Sequence, residues 1–238
     1  MTTIAQKIHK KLTPISTKKR KDLCQSFFQT HKGGYGEGDV FLGVTVPDTR
    51  KVIGEFRKDF SVELAQELLN SKYHEERLGG LIVLMYLYKK TKDIQVKKKI
   101  YSLYLKNIGN KKPINNWDLV DVSVYHIVGD YVYTYMSDEE KRVLIDTMRK
   151  NNDVWIRRTI VVATFFAIRK HDNTDILYIA EKMLGDTHHL IHKAIGWMLR
   201  ESGKKCSELD LISFLRKHKE HMPRVMYSYA KERLQLMF

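Results

Sequence analysis

The chain has 238 residues, 43% of them hydrophobic, and carries 42 Lys+Arg against 28 Asp+Glu for a formal net charge of +14. With a sequence pI near 9.6 and a mean hydropathy of −0.40, it is expected to be a soluble protein with a polyanionic partner. No apolar run approaches the roughly 18 residues of a membrane helix, and two cysteines, Cys24 and Cys206, are too few for a disulfide framework.

From the N-terminus, MTTIAQKIHKKL lacks the apolar core of a signal peptide, so a cytoplasmic location with reduced thiols is expected. Gly33-Gly34-Tyr35-Gly36-Glu37-Gly38 follows no strand and lacks the GxxxxGK[ST] spacing of a phosphate loop; it is expected to be a mobile loop that reaches nucleic acid. Val40 to Val46 is the best strand candidate, but it is short and wedged between that loop and Pro47, so it is expected to be loop. Pro47 and Pro113 stand just ahead of helical patterns, where proline is tolerated. Between Lys89 and Lys112 there are nine lysines and one acid, Asp93. A solvated helix face explains such a run by itself, but not the basic excess of the whole chain.

Further on, Asn115-Asn116 precede WDLVDVSV, Asp153 precedes VWIRRTIVV, and Asp186-Thr187 precede HHLIHKAIGWML. Each is a capping residue type ahead of an apolar periodic run. Ser137-x-x-Glu140 has the pattern of a capping box. His188, His189 and His192 cluster, but there is no HExxH glutamate and no nearby cysteine, so no zinc site is expected.

The chain also repeats itself. Arg77-LGGLIVL, Asp118-LVDVSVY, Arg158-TIVVATF and Lys193-AIGWMLR align on their charged lead residues, which fall 41, 40 and 35 positions apart. A helical-hairpin period near 40 marks HEAT-like solenoids. The fold expected is therefore all-α: one domain over residues 1–238, a solenoid of antiparallel helical repeats whose second helices line a basic concave DNA-binding face. A compact helical bundle is the competing architecture.

The three tryptophans, Trp117, Trp155 and Trp197, fall in or beside those second helices. Trp117 stands four residues before Asp121, and Trp155 and Trp197 stand three before Arg158 and Arg200, so each ring shares a helix face with a charge. Core packing is the alternative for any one of them, Trp155 above all. Asp121 interrupts the apolar run LVDVSV, and a buried carboxylate needs a partner. Either it pairs with an arginine from a neighbouring helix, or it is kept for chemistry on a cationic centre.

Taken together, Asn116-Trp117-Asp118-Leu119-Val120-Asp121, Trp155-Ile156-Arg157-Arg158 and Lys193 through Glu201 resemble the AlkD family of alkylpurine DNA glycosylases. Phe41-Leu42-Gly43-Val44 with Pro47 and Arg50 is similar too, as is Tyr35. The likeness runs from about Tyr35 to Arg224. It implies hydrolysis of the N-glycosidic bond of 3- and 7-alkylated purines in duplex DNA by a monomer, without metal or cofactor. It implies Asp121 as the catalytic carboxylate, Trp117 and Trp197 as the aromatic pair at the lesion nucleotide, and Arg158 beside them. Tyr35, Arg50, Arg157 and Arg200 are the implied DNA contacts.

The chemistry suits a single acid. A purine alkylated at N3 or N7 is already a cationic leaving group and needs no general acid, unlike an O-glycoside. A fixed anion aimed at the developing oxocarbenium charge stabilises the transition state more than the ground state. Tryptophan faces also favour positive charge, Arg158 and Arg200 would hold phosphates, and Arg158 would help keep Asp121 ionised. No apolar base-reading pocket or wedge is evident, in keeping with a lesion that stays stacked rather than flipped. Two other readings stand: a non-catalytic HEAT-like binder of damaged or branched DNA, and a protein-binding scaffold, which the charge of +14 disfavours.

Overall fold

The computed structural model of the chain describes residues 2–234. The described residues contain no β-strand, only isolated bridges pairing Val40 with Tyr73 and Ile108 with Ile114. No helix among them is long and apolar enough to cross a membrane. Contacts gather the chain into two compact units, Met1–Leu119 and Val120–Phe238.

In the first unit α1 (Ile4–Leu12), α2 (Lys18–Phe27), α3 (Val46–Glu55), α4 (Val62–Leu69), α5 (His74–Lys90) and α6 (Ile94–Asn107) follow in order, and α7 (Trp117–Val124) begins at its end. Local chemistry sets the helix starts. The side chains of Thr3, Thr17, Thr45, Ser61 and Asp93 each accept a hydrogen bond from a first-turn N–H. Pro47 sits in the first turn of α3, where its missing N–H costs nothing. Val40 to Thr45 is irregular, as expected from its short length beside Pro47. Helix α5 packs on α3 and α4. Gly80 makes this possible: a Cβ there would lie 2.7 Å from the Ala65 carbonyl oxygen of α4.

The second unit holds α8 (Asp130–Tyr135), α9 (Asp138–Arg149), α10 (Val154–Ala163), α11 (Phe165–Ile168), α12 (Thr174–Lys182), α13 (His189–Lys205), α14 (Glu208–His218) and α15 (Arg224–Lys231). Ser137 and Glu140 form the expected capping box of α9, and Asp153 caps α10. Ahead of α13 the cap is His188 rather than Asp186 or Thr187, its Nδ1 accepting from the Leu190 N–H; Asp186 caps His188 in turn. Helix α13 is the spine of the unit. Leu190, Ile191, Ala194, Ile195, Met198 and Leu199, at helical spacing, are buried against α10, α12, α14 and α15. A π turn over Tyr125–Gly129 follows α7 and packs on α10.

The four aligned runs all lie in helices, and three follow a helix packed against their own: α4 on α5, α9 on α10, α12 on α13. The chain thus adopts an all-helical repeat fold. Trp155 is 1% exposed and is one of the largest wholly buried side chains, which makes it a core residue.

Candidate active site

In the second unit, Asp121 from α7 meets Arg158 from α10. Both run on apolar faces: Val120 and Val124 flank the acid, Val154, Trp155 and Val161 flank the base, and all five are buried. The guanidinium is therefore carried into the packed interface and must be satisfied there. Its Nε donates to Asp121 Oδ1 at 2.9 Å and its Nη2 to Oδ2 at 2.7 Å, a two-pronged pair, while Nη1 donates to the Leu190 carbonyl at 2.5 Å. Arg158 is buried, whereas the Asp121 side chain keeps 17% of its surface exposed. The carboxylate is thus held by both oxygens and remains partly exposed. Three of the five N–H donors of the arginine are used, and with 6% of its side chain exposed it presents little surface to a phosphate in this arrangement.

Arg157, one residue away, turns elsewhere. Its Nε donates to Asp186 Oδ2 at 2.8 Å and its Nη1 to the carbonyls of Asn151 and Asn152 at 2.8 and 2.9 Å, so it closes the loop ahead of α10. Arg200 pairs with Glu201 and Glu232, though its Nε is buried without a partner. Trp197 is half-buried, tilted against Phe165 with ring centroids 6.1 Å apart. Phe165 in turn meets Tyr125 edge-on at 5.6 Å. His188 and His189 stack on one another, and His192 bonds the Asp186 carbonyl. Burial pushes the pKa of His188 and His189 down, helped by each one's basic neighbours.

In the first unit, Trp117 opens α7 on an aromatic bed. Its ring stacks on Phe28 at 5.3 Å, meets Phe27 edge-on at 5.9 Å, and its Nε1 donates to the Tyr35 hydroxyl at 3.2 Å. Tyr35 itself donates to the Phe27 carbonyl at 3.0 Å. The glycine-rich segment around it is a series of turns bonded to itself: the Gly33 N–H donates to Glu37, Gly34 to His31 and Gly38 to Thr30. Gly36 lies so close to α2 that a Cβ would stand 2.3 Å from the Phe28 carbonyl oxygen. Arg50 is exposed on α3.

Beneath Trp117 lies a charged cluster that sequence reasoning missed. His74 donates from Nδ1 to Asp39 at 2.8 Å and from Nε2 to Asp118 at 2.7 Å. Arg77 also pairs with Asp39, and Asn116 reaches it at 3.4 Å. Glu75 accepts the backbone N–H groups of Leu42, Gly43 and Val44 at 2.8 to 3.1 Å, which holds that irregular segment in place. Burial works against a charged His74, but the charge and hydrogen bond of Asp118, then those of Asp39, outweigh it and raise its pKa to about 9. Asp39 is held below its usual range: burial opposes this, and the His74 hydrogen bond and charge, with Arg77, prevail. The available signal was four consecutive ionisable residues, His74-Glu75-Glu76-Arg77, at the head of the apolar run LGGLIVL.

The described residues thus form an all-helical repeat fold in a strongly basic chain, with Asp121 held by Arg158 in its second unit. A family profile described as DNA alkylation repair enzyme matches residues 8–234. The chain belongs to that family. A predicted DNA alkylation repair enzyme from Enterococcus faecalis has a similar solved structure, with a TM-score of 0.70 at 13% identity, covering 92% of this chain and 97% of that one. At that identity the likeness is one of fold. No curated protein matches the chain in sequence.

Proposed function

We propose that this protein is a monofunctional DNA glycosylase that releases cationic 3- and 7-alkylated purines, such as 3-methyladenine and 7-methylguanine, from duplex DNA. The observation that carries the reading is the Asp121 carboxylate, pinned by two prongs of Arg158 and still partly exposed. Membership of a DNA alkylation repair family supports a DNA substrate.

In this mechanism the leaving base carries its own positive charge, so no proton is delivered to it. As the glycosidic bond breaks, positive charge grows on the sugar, and the oriented carboxylate stabilises it electrostatically and aligns the attacking water. Trp117 and Trp197 press on the deoxyribose with faces that favour positive charge. Arg158 orients the acid rather than gripping DNA. Affinity comes from the rest of the basic excess on HEAT-like repeats, and the protein acts in the cytoplasm as a monomer.

The test is release of free base from methylated duplex DNA, with Asp121→Asn as control. Wild type releases 3-methyladenine and 7-methylguanine, and the variant loses at least about 100-fold in rate. No release from wild type sinks the enzyme reading. Equal release from both removes Asp121 from its role. The buried pairing of Arg158 with Asp121 also suits a second reading, a non-excising binder of damaged DNA in which the ion pair is structural; that reading gains if DNA is bound and no base is lost.

A further inference from the structure

All four residues His74-Glu75-Glu76-Arg77 at the head of α5 are buried. Charges in such a place need partners, and three of them find theirs in structure around α5. Glu75 takes the loop amides of Leu42 to Val44, Glu76 takes His9 and Ser71, and Arg77 takes Asp39. His74 differs. Its second carboxylate, Asp118, belongs to the first turn of α7, the residue next to Trp117.

The same imidazole is the base of a ring stack. His74 lies on Phe41 at 4.3 Å and 22°, Phe41 on Phe28 at 5.0 Å and 17°, and Phe28 on Trp117 at 5.3 Å and 26°. Trp117 is therefore reached from His74 by two routes, one through the Asp118 backbone and one through two phenyl rings. Asp118 also fixes its own turn, its Oδ1 accepting the Leu119 N–H at 2.8 Å. His74 is 3% exposed, too buried to meet a substrate itself.

We propose that His74 is a positioning residue: by bridging Asp39 and Asp118 it sets the plane and height of the Trp117 indole, and through that ring the fit of the damaged nucleotide's sugar. This rests on the reading of Trp117 under the proposed function. A ring displaced by a fraction of an ångström changes the rate of the chemical step more than the binding of duplex, because phosphate contacts are untouched.

The experiment uses the full chain labelled with 5-fluorotryptophan. Its fluorine resonances are assigned by Trp117→Phe, Trp155→Phe and Trp197→Phe. In His74→Gln and in the milder Asp118→Asn, the Trp117 resonance moves while those of Trp155 and Trp197 stay. Single-turnover base release then slows about tenfold with duplex affinity unchanged. If His74→Gln unfolds, so that all its resonances converge, Asp118→Asn decides, since Asp118 is partly exposed and the neutral amide removes the charge that holds His74 while leaving the site filled. A Trp117 resonance that stays put in Asp118→Asn overturns the proposal, as does a wild-type rate in a variant whose resonance has moved. If wild type releases no base, the glycosylase reading falls by itself, and the Trp117 resonance still shows whether the bridge sets the ring.

Discussion

Arg158 holds Asp121 by both edges of its fork, Nε to Oδ1 at 2.9 Å and Nη2 to Oδ2 at 2.7 Å, and is itself held by the Leu190 carbonyl. Three fixed donors on one planar group are what a lysine cannot supply. Arg158→Lys keeps the charge and loses the geometry. Single-turnover base release is expected to fall about 10- to 100-fold, with duplex affinity retained. A proportionate loss of affinity instead would make Arg158 a phosphate ligand.

Stability separates the pair from its parts. Arg158→Ala leaves a half-buried carboxylate and the Leu190 carbonyl without their donor, and is expected to cost about 3 kcal/mol in urea unfolding. Adding Asp121→Ala removes the stranded charge and should restore part of that loss. If the double variant is destabilised by the sum of the two single losses, the ion pair is not coupled.

Trp155 and Trp197 differ in the same way. Trp155 is 1% exposed, so Trp155→Ala opens a large cavity and should cost about 3–5 kcal/mol. Trp197 is half-buried against Phe165. Trp197→Phe is expected to leave urea stability within about 1 kcal/mol and to lower base release. The reverse pattern would exchange the two roles.

The legible part of this protein was whatever repeats or caps. Apolar periodicity found the second helices, and Ser137 and Asp153 marked the starts of α9 and α10 because capping is a local bond between near neighbours. Asp121 stood out as a charge inside an apolar run, and the pairing with an arginine of another helix is observed, while its role in chemistry belongs to the base-release test. The partners were not legible. That Arg157 turns to Asp186 and Arg158 to Asp121 is decided by which face of α10 each occupies, one residue apart and about 100° around the axis. The His74 bridge was hidden because Asp39 and Asp118 lie 35 and 44 residues from it in sequence. Tyr35 was placed beside nucleic acid from the resemblance, while its hydroxyl is bonded to Trp117 and the Phe27 carbonyl.

His74 makes stability depend on pH. Its pKa is raised from 6.5 to about 9 by Asp118 and Asp39 against the cost of burial, with Arg77 also facing it at 3.4 Å. Below pH 6.5 the folded and unfolded chains both hold the proton, and the bridge contributes fully. Between about 6.5 and 9 only the folded chain holds it, so its contribution shrinks by about 1.4 kcal/mol per pH unit and is gone above 9. The stability difference between wild type and His74→Gln, measured by urea unfolding, is expected to narrow across that window. A constant difference would mean that His74 is neutral in the folded protein.

Salt dependence of DNA binding separates the arginines that meet phosphate from those that hold the fold. Each phosphate neutralised adds about 0.9 to the slope of log K against log salt. Arg50 is exposed on α3, whereas Arg157 is tied to Asp186 and to two carbonyls. Arg50→Ala is expected to weaken duplex binding and reduce the slope by about 1. Arg157→Ala should leave the slope as it is and lower stability by about 1–3 kcal/mol, because Asp186 and the Asn151 and Asn152 carbonyls lose their donor. Both slopes are read from titrations of undamaged duplex between 50 and 200 mM salt, a range in which several phosphate contacts change affinity by orders of magnitude. An unchanged slope for Arg50→Ala with a lowered one for Arg157→Ala would mean that Arg157 leaves Asp186 when DNA is bound, and that the ion pair is an exchangeable partner of the phosphate.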